Sequence, residues 1–124
     1  MESLENAIEV RHLRKAFGTL KAVDGIDFEL KQGEFLTVFG PNGAGKTTAI
    51  SMLTGLFPPT KGNAFVCGFE LKKQLREIYN VMGICPQFDI CWPDLSVGEH
   101  VALYARLKGV AENQVQAAVK NILK

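Results

Sequence analysis

A glycine-rich segment in the first half of the chain limits the folds that this sequence can adopt. Residues 40–47 read GPNGAGKT and fit the pattern G-x-x-x-x-G-K-[ST] of a phosphate-binding loop. Glycines let such a loop curl until successive backbone N–H groups converge on an anion, since a side chain would clash or forbid the φ angles. Lys46 can then reach the β- and γ-phosphates of a nucleotide, and the Thr47 hydroxyl can ligate Mg²⁺. The motif lies between a strand and a helix, which predicts an α/β fold.

The residues on either side of this loop supply the predicted strand and helix. Residues 35–39, FLTVF, form a short apolar run rich in aromatic and β-branched residues, which predicts a buried strand. Residues 46–54 are helical in character and are followed by Gly55, a residue type favoured just beyond a helix end. The alternative interpretation is a glycine-rich turn between strand and helix that binds no ligand.

Periodicity predicts the remaining elements. Residues 26–30 alternate strictly between apolar and charged side chains, as in an antiparallel strand with one face in water. Ser96 and Glu99 fit the capping-box pattern at the start of a helix that ends near Lys108. Three more strands are predicted at 7–11, 63–66 and 81–85, and two more helices at 71–79 and from 111 onwards.

The composition argues against several classes of protein. The 14 Lys and Arg residues and the 13 Asp and Glu residues nearly cancel, which argues against a nucleic-acid partner bound by bulk charge. No run approaches about 18 consecutive apolar residues, so no transmembrane helix is expected. Residues 1–5 are not a basic segment leading into an apolar stretch, so no signal peptide is expected and a cytosolic location is implied.

The cysteine and histidine residues do not form a predicted metal site. Cys67, Cys85 and Cys91 include no pair spaced C-x-x-C, which argues against a zinc site or a disulfide framework. Reduced thiols that are buried or half-buried are expected instead. His12 and His100 are isolated from other ligand types and are interpreted as ordinary surface or structural residues.

Three features in order identify a family. Phe17 lies 23 residues before Gly40, residues 40–48 read GPNGAGKTT, and Gln87 follows a Cys-Pro pair. Along its whole length the chain resembles the nucleotide-binding domain of ATP-binding cassette (ABC) transporters. In that family an aromatic residue at the first position stacks on adenine, the glycine loop is the Walker A motif, and the glutamine reaches Mg²⁺ and the attacking water.

The resemblance implies a fold and a set of ligands. The implied fold is α/β, a truncated P-loop NTPase of the ABC type. Its parts are an N-terminal antiparallel β-subdomain (1–34), the P-loop core (35–86) and the Q-loop with the beginning of the helical subdomain (87–124). The ligands are ATP and Mg²⁺, with Lys46 and Gln87 as catalytic residues and Thr47 and Gln87 at the metal. The implied nucleotide-binding residues are Phe17, Gly40, Asn42, Gly43, Ala44, Gly45, Lys46, Thr47 and Thr48.

The resemblance also implies partners. The sequence CPQFD at 85–89 and the segment YARLKG at 104–109 are most similar to the A subfamily, whose members mostly move lipids. Such a domain lies at the cytoplasmic face of a membrane, contacts a transmembrane domain and forms a head-to-tail dimer with a second nucleotide-binding domain. The contact with the transmembrane domain would involve Phe88, Ile90 and Trp92; local core packing is the alternative for these residues.

Several of the family's motifs do not occur in the 124 residues. These are the LSGGQ-like signature, the Walker B aspartate with the catalytic glutamate, the D-loop and the switch histidine; His100 is in the wrong place for the last. The chain alone is therefore expected not to turn over ATP. The strands that would separate 35–39 from 81–85 are also absent, so these two segments should share no ladder, and the chain should be marginally stable or prone to aggregate.

Two other functions remain open. The first is a regulatory or decoy module that docks on a transporter membrane domain through the 88–92 region without turning over nucleotide. The second is an unrelated P-loop enzyme such as a small kinase, against which the two alternating strands before the loop, Phe17 and the Pro86-Gln87 pair argue.

Overall fold

The computed structural model of the chain describes residues 6–124, so the signal-peptide inference on residues 1–5 lies outside the described part. The chain divides into two compact units, one ending at Ile84 and one beginning at Cys85. The described elements are β1 (Asn6–Phe17), β2 (Leu20–Lys31), α1 (Lys46–Leu53), β3 (Lys61–Val66), β4 (Phe69–Glu70), α2 (Leu75–Val81), α3 (Val97–Leu107) and α4 (Glu112–Ile122).

The first unit is built on an antiparallel sheet with the order β2-β1-β3-β4. β1 and β2 form a long hairpin that closes where Phe17 pairs with Leu20. β3 pairs with the other edge of β1, and the short β4 pairs with β3. The strands predicted at 7–11, 26–30 and 63–66 are confirmed. The first two lie within the longer strands β1 and β2, and the third covers most of β3.

The hairpin contains a bulge at His12, which has a positive φ of 47°. Asp27 on β2 supports the bulge, because its Oδ1 accepts the His12 backbone N–H at 2.8 Å and its Oδ2 lies 2.9 Å from His12 Nδ1. The backbone hydrogen bond from His12 is the main cause that lowers the pKa of Asp27. The bulge thus has its own side-chain anchor on the exposed face of the sheet.

The core of the first unit lies between the sheet and the two helices α1 and α2. The apolar faces of the strands meet one buried residue from each helix, Met52 and Ile78, and both side chains are fully buried. The buried residues of this core are Val10, Leu13, Val23, Met52, Ala64, Val66, Leu71 and Ile78. Burial of this face fixes the register of the strands, because a one-residue slip would turn the apolar side chains into water.

The two strands predicted from apolar runs at 35–39 and 81–85 are wrong in the described structure. Neither segment joins the sheet, and Val81 is the last residue of α2. Phe35 is fully exposed and Phe39 is 88% exposed. An apolar run becomes a strand only when a neighbouring strand accepts its backbone hydrogen bonds, and no described segment does so here. The two segments therefore share no ladder with each other.

The helix predicted at 71–79 begins later, at Leu75. The reason is the short strand Phe69–Glu70, which sequence periodicity did not detect. Leu71 extends that pairing, because its N–H donates to the Ala64 carbonyl at 2.9 Å. Residues 71–73 form a turn instead of the first helical turn.

The second unit contains the helices α3 and α4. The capping box at the start of α3 is confirmed: Glu99 N–H donates to Ser96 Oγ, and the Glu99 carboxylate accepts the Ser96 backbone N–H at 2.7 Å. Ala102 of α3 and Val115 of α4 are buried. Arg106 near the end of α3 donates two hydrogen bonds to Glu112 at the start of α4, at 2.8 and 2.6 Å, which ties the connection between the helices.

Candidate nucleotide-binding site

The glycine-rich loop leads directly into α1. Gly43 and Gly45 have positive φ angles of 84° and 93°, and Gly45 is the N-cap of the helix. Ala44 N–H donates to the Pro41 carbonyl at 3.1 Å, which closes a turn within the loop. Ala49 N–H donates to the Gly45 carbonyl at 2.8 Å and starts the helical hydrogen bonds. The two glycines therefore occupy the conformations that only glycine adopts without strain.

The loop presents several backbone donors without partners in the described part of the chain. Ala44 N–H is used within the loop, whereas the N–H groups of Gly43, Gly45, Lys46 and Thr47 have no acceptor among residues 6–124. Such groups at the start of a helix carry partial positive charge. Their arrangement matches the chemistry of a phosphate group, whose oxygens accept several hydrogen bonds.

The Lys46 side chain folds back over the loop. Its ammonium group donates to the backbone carbonyls of Gly40 and Pro41, the second at 2.9 Å. Lys46 is the only lysine in the segment 40–48, and these two carbonyls keep its positive charge at the loop. A phosphate oxygen forms a stronger, charge-assisted bond with an ammonium group than a neutral carbonyl does. Lys46 is thus placed to exchange these loop contacts for a bound polyphosphate.

The two threonines that follow Lys46 differ in exposure. Thr47, at the second position of α1, is exposed, and Thr48 is half-buried. An exposed hydroxyl at the end of the loop is an oxygen ligand of the kind that Mg²⁺ prefers. Asn42 and Gly40 lie in the exposed part of the loop. The structure therefore brings the predicted residues 40–48 together at one site in the first unit.

Strand β2 supports the loop from below, a contact that sequence reasoning missed. A Cβ on Gly45 would overlap the carbonyl oxygen of Ala22 and would lie 3.2 Å from Val23 Cγ2. Glycine at position 45 is thus required by a close approach of two backbones as well as by its φ angle of 93°. No local signal marks Ala22, because its role arises only when β2 passes against the start of α1.

Phe17 lies at the tip of the β1–β2 hairpin. Its ring is 48% exposed and packs edge-to-face against Phe57, with 5.6 Å between the ring centroids. Phe17 pairs with Leu20, and Ala22, two residues further along β2, touches Gly45. The same strand therefore links the hairpin tip to the glycine loop, separated by about 7 Å of extended chain.

The other predicted residues belong to the second unit. Gln87 lies in an irregular, exposed segment between Cys85 and the start of α3. Phe88, Ile90 and Trp92 are 77%, 54% and 50% exposed, so they do not form a core among the described residues. Trp92 is partly shielded by His100, whose ring stacks on it at 5.8 Å.

The remaining sequence expectations concern membranes, metals and thiols. Within residues 6–124, no helix combines the length and apolar character needed to cross a bilayer. The same residues contain no group of three His, Cys, Asp or Glu side chains placed to hold a metal ion. The cysteines are free: Cys67 is half-buried, but Cys85 and Cys91 are exposed, so the expectation of buried or half-buried thiols is wrong for these two.

Comparison with known proteins shows the family of the chain. The sequence model of the ABC transporter family matches residues 23–124. The chain is 41% identical over 126 aligned positions to the human protein named phospholipid-transporting ATPase ABCA3, covering 98% of this chain and 7% of that protein. It is 43% identical over 122 positions to ABC transporter A family member 7 of Dictyostelium discoideum, covering 97% of this chain and 14% of that protein.

A solved structure described as the ATP binding subunit of an ABC transporter is also similar. It superposes with a TM-score of 0.77 at 26% identity, over 87% of this chain and 45% of the solved chain. The chain thus spans about half of that subunit and a small part of the curated relatives. The sequence match, the shared fold and the glycine loop with Lys46 agree, and the chain belongs to the ABC transporter family and is similar to its A subfamily.

Proposed function

We propose that the chain is the ATP-binding part of an ABC transporter ATPase, which uses ATP to move a substrate across a membrane. The observation that supports this most directly is the loop at 40–47. Its partner-free backbone donors and the Lys46 ammonium group lie together at the start of α1. A site of this kind favours several negative charges in a row, as in the polyphosphate of a nucleotide.

Each residue of the loop has a role in this proposal. The backbone from Gly40 to Thr48 surrounds the phosphates, Lys46 supplies the positive charge, and the Thr47 hydroxyl holds Mg²⁺. When bound, Mg²⁺ neutralises charge on the phosphoryl group that is transferred. Gln87 is proposed to orient water and to contact the metal in the assembled transporter.

Phe17 is proposed to stack on the adenine base. A half-exposed aromatic ring at a hairpin tip offers a face to a planar base, and stacking of this kind contributes about 1–3 kcal/mol per base. Phenylalanine has no hydroxyl, so it offers only its π-face. The close approach of Ala22 to Gly45 supports this proposal, because β2 then connects the hairpin tip to the loop.

The rest of the transporter is proposed from family membership. Residues 1–34, 35–86 and 87–124 would be the antiparallel β-subdomain, the P-loop core and the start of the helical subdomain. The domain would lie at the cytoplasmic face of a membrane, contact a transmembrane domain through Phe88, Ile90 and Trp92, and dimerise head-to-tail with a second nucleotide-binding domain. The substrate would be a lipid that is exported, since the human relative is named as a phospholipid transporter.

The 124-residue chain by itself is proposed to bind ATP with Mg²⁺ without turning it over. Its sequence contains no LSGGQ-like signature and no Walker B aspartate with a catalytic glutamate. Phosphoryl transfer to water requires a positioned nucleophile as well as charge stabilisation, and the loop supplies only part of the second requirement.

Calorimetric titration of the chain with Mg-ATP tests the proposal. We expect Lys46→Ala to weaken binding at least about tenfold, since it removes a charge-assisted contact. Lys61→Ala is the control, because Lys61 is an exposed lysine of β3. Equal affinity of the wild type and Lys46→Ala would reject nucleotide binding at this loop. Phosphate release above the level of Lys46→Ala would reject the proposed inactivity.

The exposure of the 88–92 region favours one second candidate, a docking module. Phe88, Ile90 and Trp92 present apolar surface of the kind that protein interfaces use. If docking is the main function, Trp92→Ala abolishes co-sedimentation with transporter-containing membranes whereas Lys46→Ala does not. If ATP binding drives association, Lys46→Ala has the larger effect.

A further inference from the structure

A lysine and a second aromatic ring contact Phe17, the residue proposed to stack on adenine. Phe57 packs edge-to-face against it, with an angle of 83° between the ring planes. The Lys15 ammonium group lies over both rings, 5.2 Å from the centroid of Phe17 and 4.9 Å from that of Phe57. Both distances are within the range of cation–π attraction. The three side chains therefore form one cluster, which we call the hairpin-tip cluster.

This cluster is fastened to the end of β1 by backbone contacts. Lys15 Nζ donates to the Pro58 carbonyl at 2.7 Å. Ala16 N–H donates to Thr60 Oγ1 at 3.0 Å, and Thr60 N–H donates to the Arg14 carbonyl at 2.8 Å. Residues 57–60, which follow α1 in the sequence, are thus held beside the end of β1.

The Phe17 ring depends on these neighbours for its orientation. A tyrosine at this position could fix its ring with a hydroxyl hydrogen bond, whereas phenylalanine has no polar atom. The ring is also about half exposed, so packing from the core does not enclose it. The contacts of its side chain that set its direction are the Phe57 ring and the Lys15 charge.

We infer that Lys15 and Phe57 are positioning residues, which hold the Phe17 ring so that it can stack on the base of the nucleotide bound by the loop. The inference rests on the proposed function, since it assumes that the loop binds a nucleoside triphosphate. It predicts that the two residues act on the base and not on the phosphates, although Lys15 carries a positive charge.

The test compares two ligands, Mg-ATP and inorganic tripolyphosphate with Mg²⁺, by calorimetric titration. Tripolyphosphate offers the same phosphate chain without a base. The variants are Lys15→Met, which keeps an unbranched stem without the charge, and Phe57→Leu. Lys21→Met is the control, because Lys21 is an exposed lysine beside the same hairpin tip and its nearest charged partner is Asp24 at 3.5 Å.

We expect Lys15→Met and Phe57→Leu each to weaken ATP binding by about fivefold or more, a part of the stacking contribution. Tripolyphosphate affinity should stay within about twofold of the wild type, since no phosphate contact is changed. Lys21→Met should change neither. Thermal melts of each variant confirm that binding is measured on folded protein; Phe57 borders the core, so Lys15→Met is the decisive variant if Phe57→Leu fails to fold.

The possible contrary results are distinguishable. An equal loss for both ligands would overturn the inference, because it would show an electrostatic or general structural effect. A loss of ATP binding in Phe17→Ala but not in Lys15→Met would overturn the inference and leave the proposed function intact. Tripolyphosphate binding that does not depend on Lys46 would overturn the proposed function, and the inference with it.

Discussion

The carbonyl oxygen of Ala22 lies where a side chain on Gly45 would have to be. Strand β2 therefore approaches the start of α1 so closely that only glycine fits, quite apart from the positive φ angle of 93°. This contact joins the sheet to the loop that carries Lys46. The loop is thus held by a rigid element on one side, which prearranges its backbone donors for an anion.

Gly45→Ala should destabilise the chain more than Gly43→Ala. Both residues have positive φ, which costs an alanine about 1–2 kcal/mol. Only at position 45 would the alanine side chain also overlap β2, and overpacking of this kind costs about 1–3 kcal/mol more. A Cβ on residue 43 would meet no atom within 4 Å, so Gly43→Ala is a matched control. Urea denaturation measures both, and equal losses would contradict the proposed role of the Ala22 contact.

Local patterns in the sequence predicted the strand at 26–30, the glycine loop and the capped helix α3. Each of these depends on residues close together in the chain: alternating side chains in 26–30, glycines at fixed spacing in 40–47, and the Ser96–Glu99 pair. The structure follows because backbone conformation and capping are decided mainly within a few residues. The positions of the loop residues were therefore predictable before any tertiary contact was known.

The absence of a strand at 35–39 was not predictable in the same way. The apolar run satisfies the pattern of a buried strand, but pairing depends on a partner that residues 6–124 do not supply. Leu36 and Val38 instead line a cavity of about 290 Å³ against α1 and β2. The contacts of Ala22 with Gly45 and of Lys15 with Phe57 escaped sequence reasoning for the related reason that they join distant segments.

The exposed segment 35–39 should make the chain self-associate. Phe35 and Phe39 are almost fully exposed, and the segment joins no ladder. We expect a double variant with Phe35→Lys and Phe39→Lys to reduce association without lowering the melting temperature, because exposed side chains contribute little packing and charges oppose edge pairing. Light scattering and thermal melts measure the two effects.

A half-buried residue of β2 is the control for that experiment. Phe28 of β2 is half-buried and packs against the core, so Phe28→Lys should lower the melting temperature instead. A wild-type chain that stays monomeric and unfolds in one sharp transition would contradict the expected association.

The capping box of α3 should make the second unit sensitive to acid. The Glu99 carboxylate accepts hydrogen bonds from the Ser96 hydroxyl at 2.6 Å and from its N–H at 2.7 Å, and these lower the pKa of Glu99 below its ordinary value of 4.5. Because the pKa is lower in the folded state, the ionised carboxylate stabilises the fold above pH 4.5, and this stabilisation is lost as the pH falls below that value.

Glu99→Gln should remove that part of the acid dependence. The variant should be less stable than the wild type at pH 7, and the difference should shrink on acidification through the carboxyl range. Asp94→Asn is the control, since Asp94 has no hydrogen bond or ion pair with another residue of the described chain. Urea denaturation, followed by the circular dichroism of the helices, measures the free energy of unfolding at pH 7 and at acidic pH. If this free energy depends on pH in the same way in the wild type and in Glu99→Gln, the prediction is rejected.

The single tryptophan reports on the segment before α3. The Trp92 backbone N–H donates to His100 Nε2 at 2.9 Å. His100 Nδ1 lies 2.9 Å from the Ser96 carbonyl, so Nδ1 carries the proton and donates. The planes of the two stacked rings differ by 22°.

His100→Phe keeps an aromatic ring but removes both side-chain hydrogen bonds, each worth about 1 kcal/mol. We expect a red-shifted Trp92 emission and stronger quenching by acrylamide, because the residue is then less shielded. Tyr104→Phe, one turn further along α3, should leave the emission unchanged, and an unchanged spectrum in His100→Phe would show that the stack alone holds Trp92.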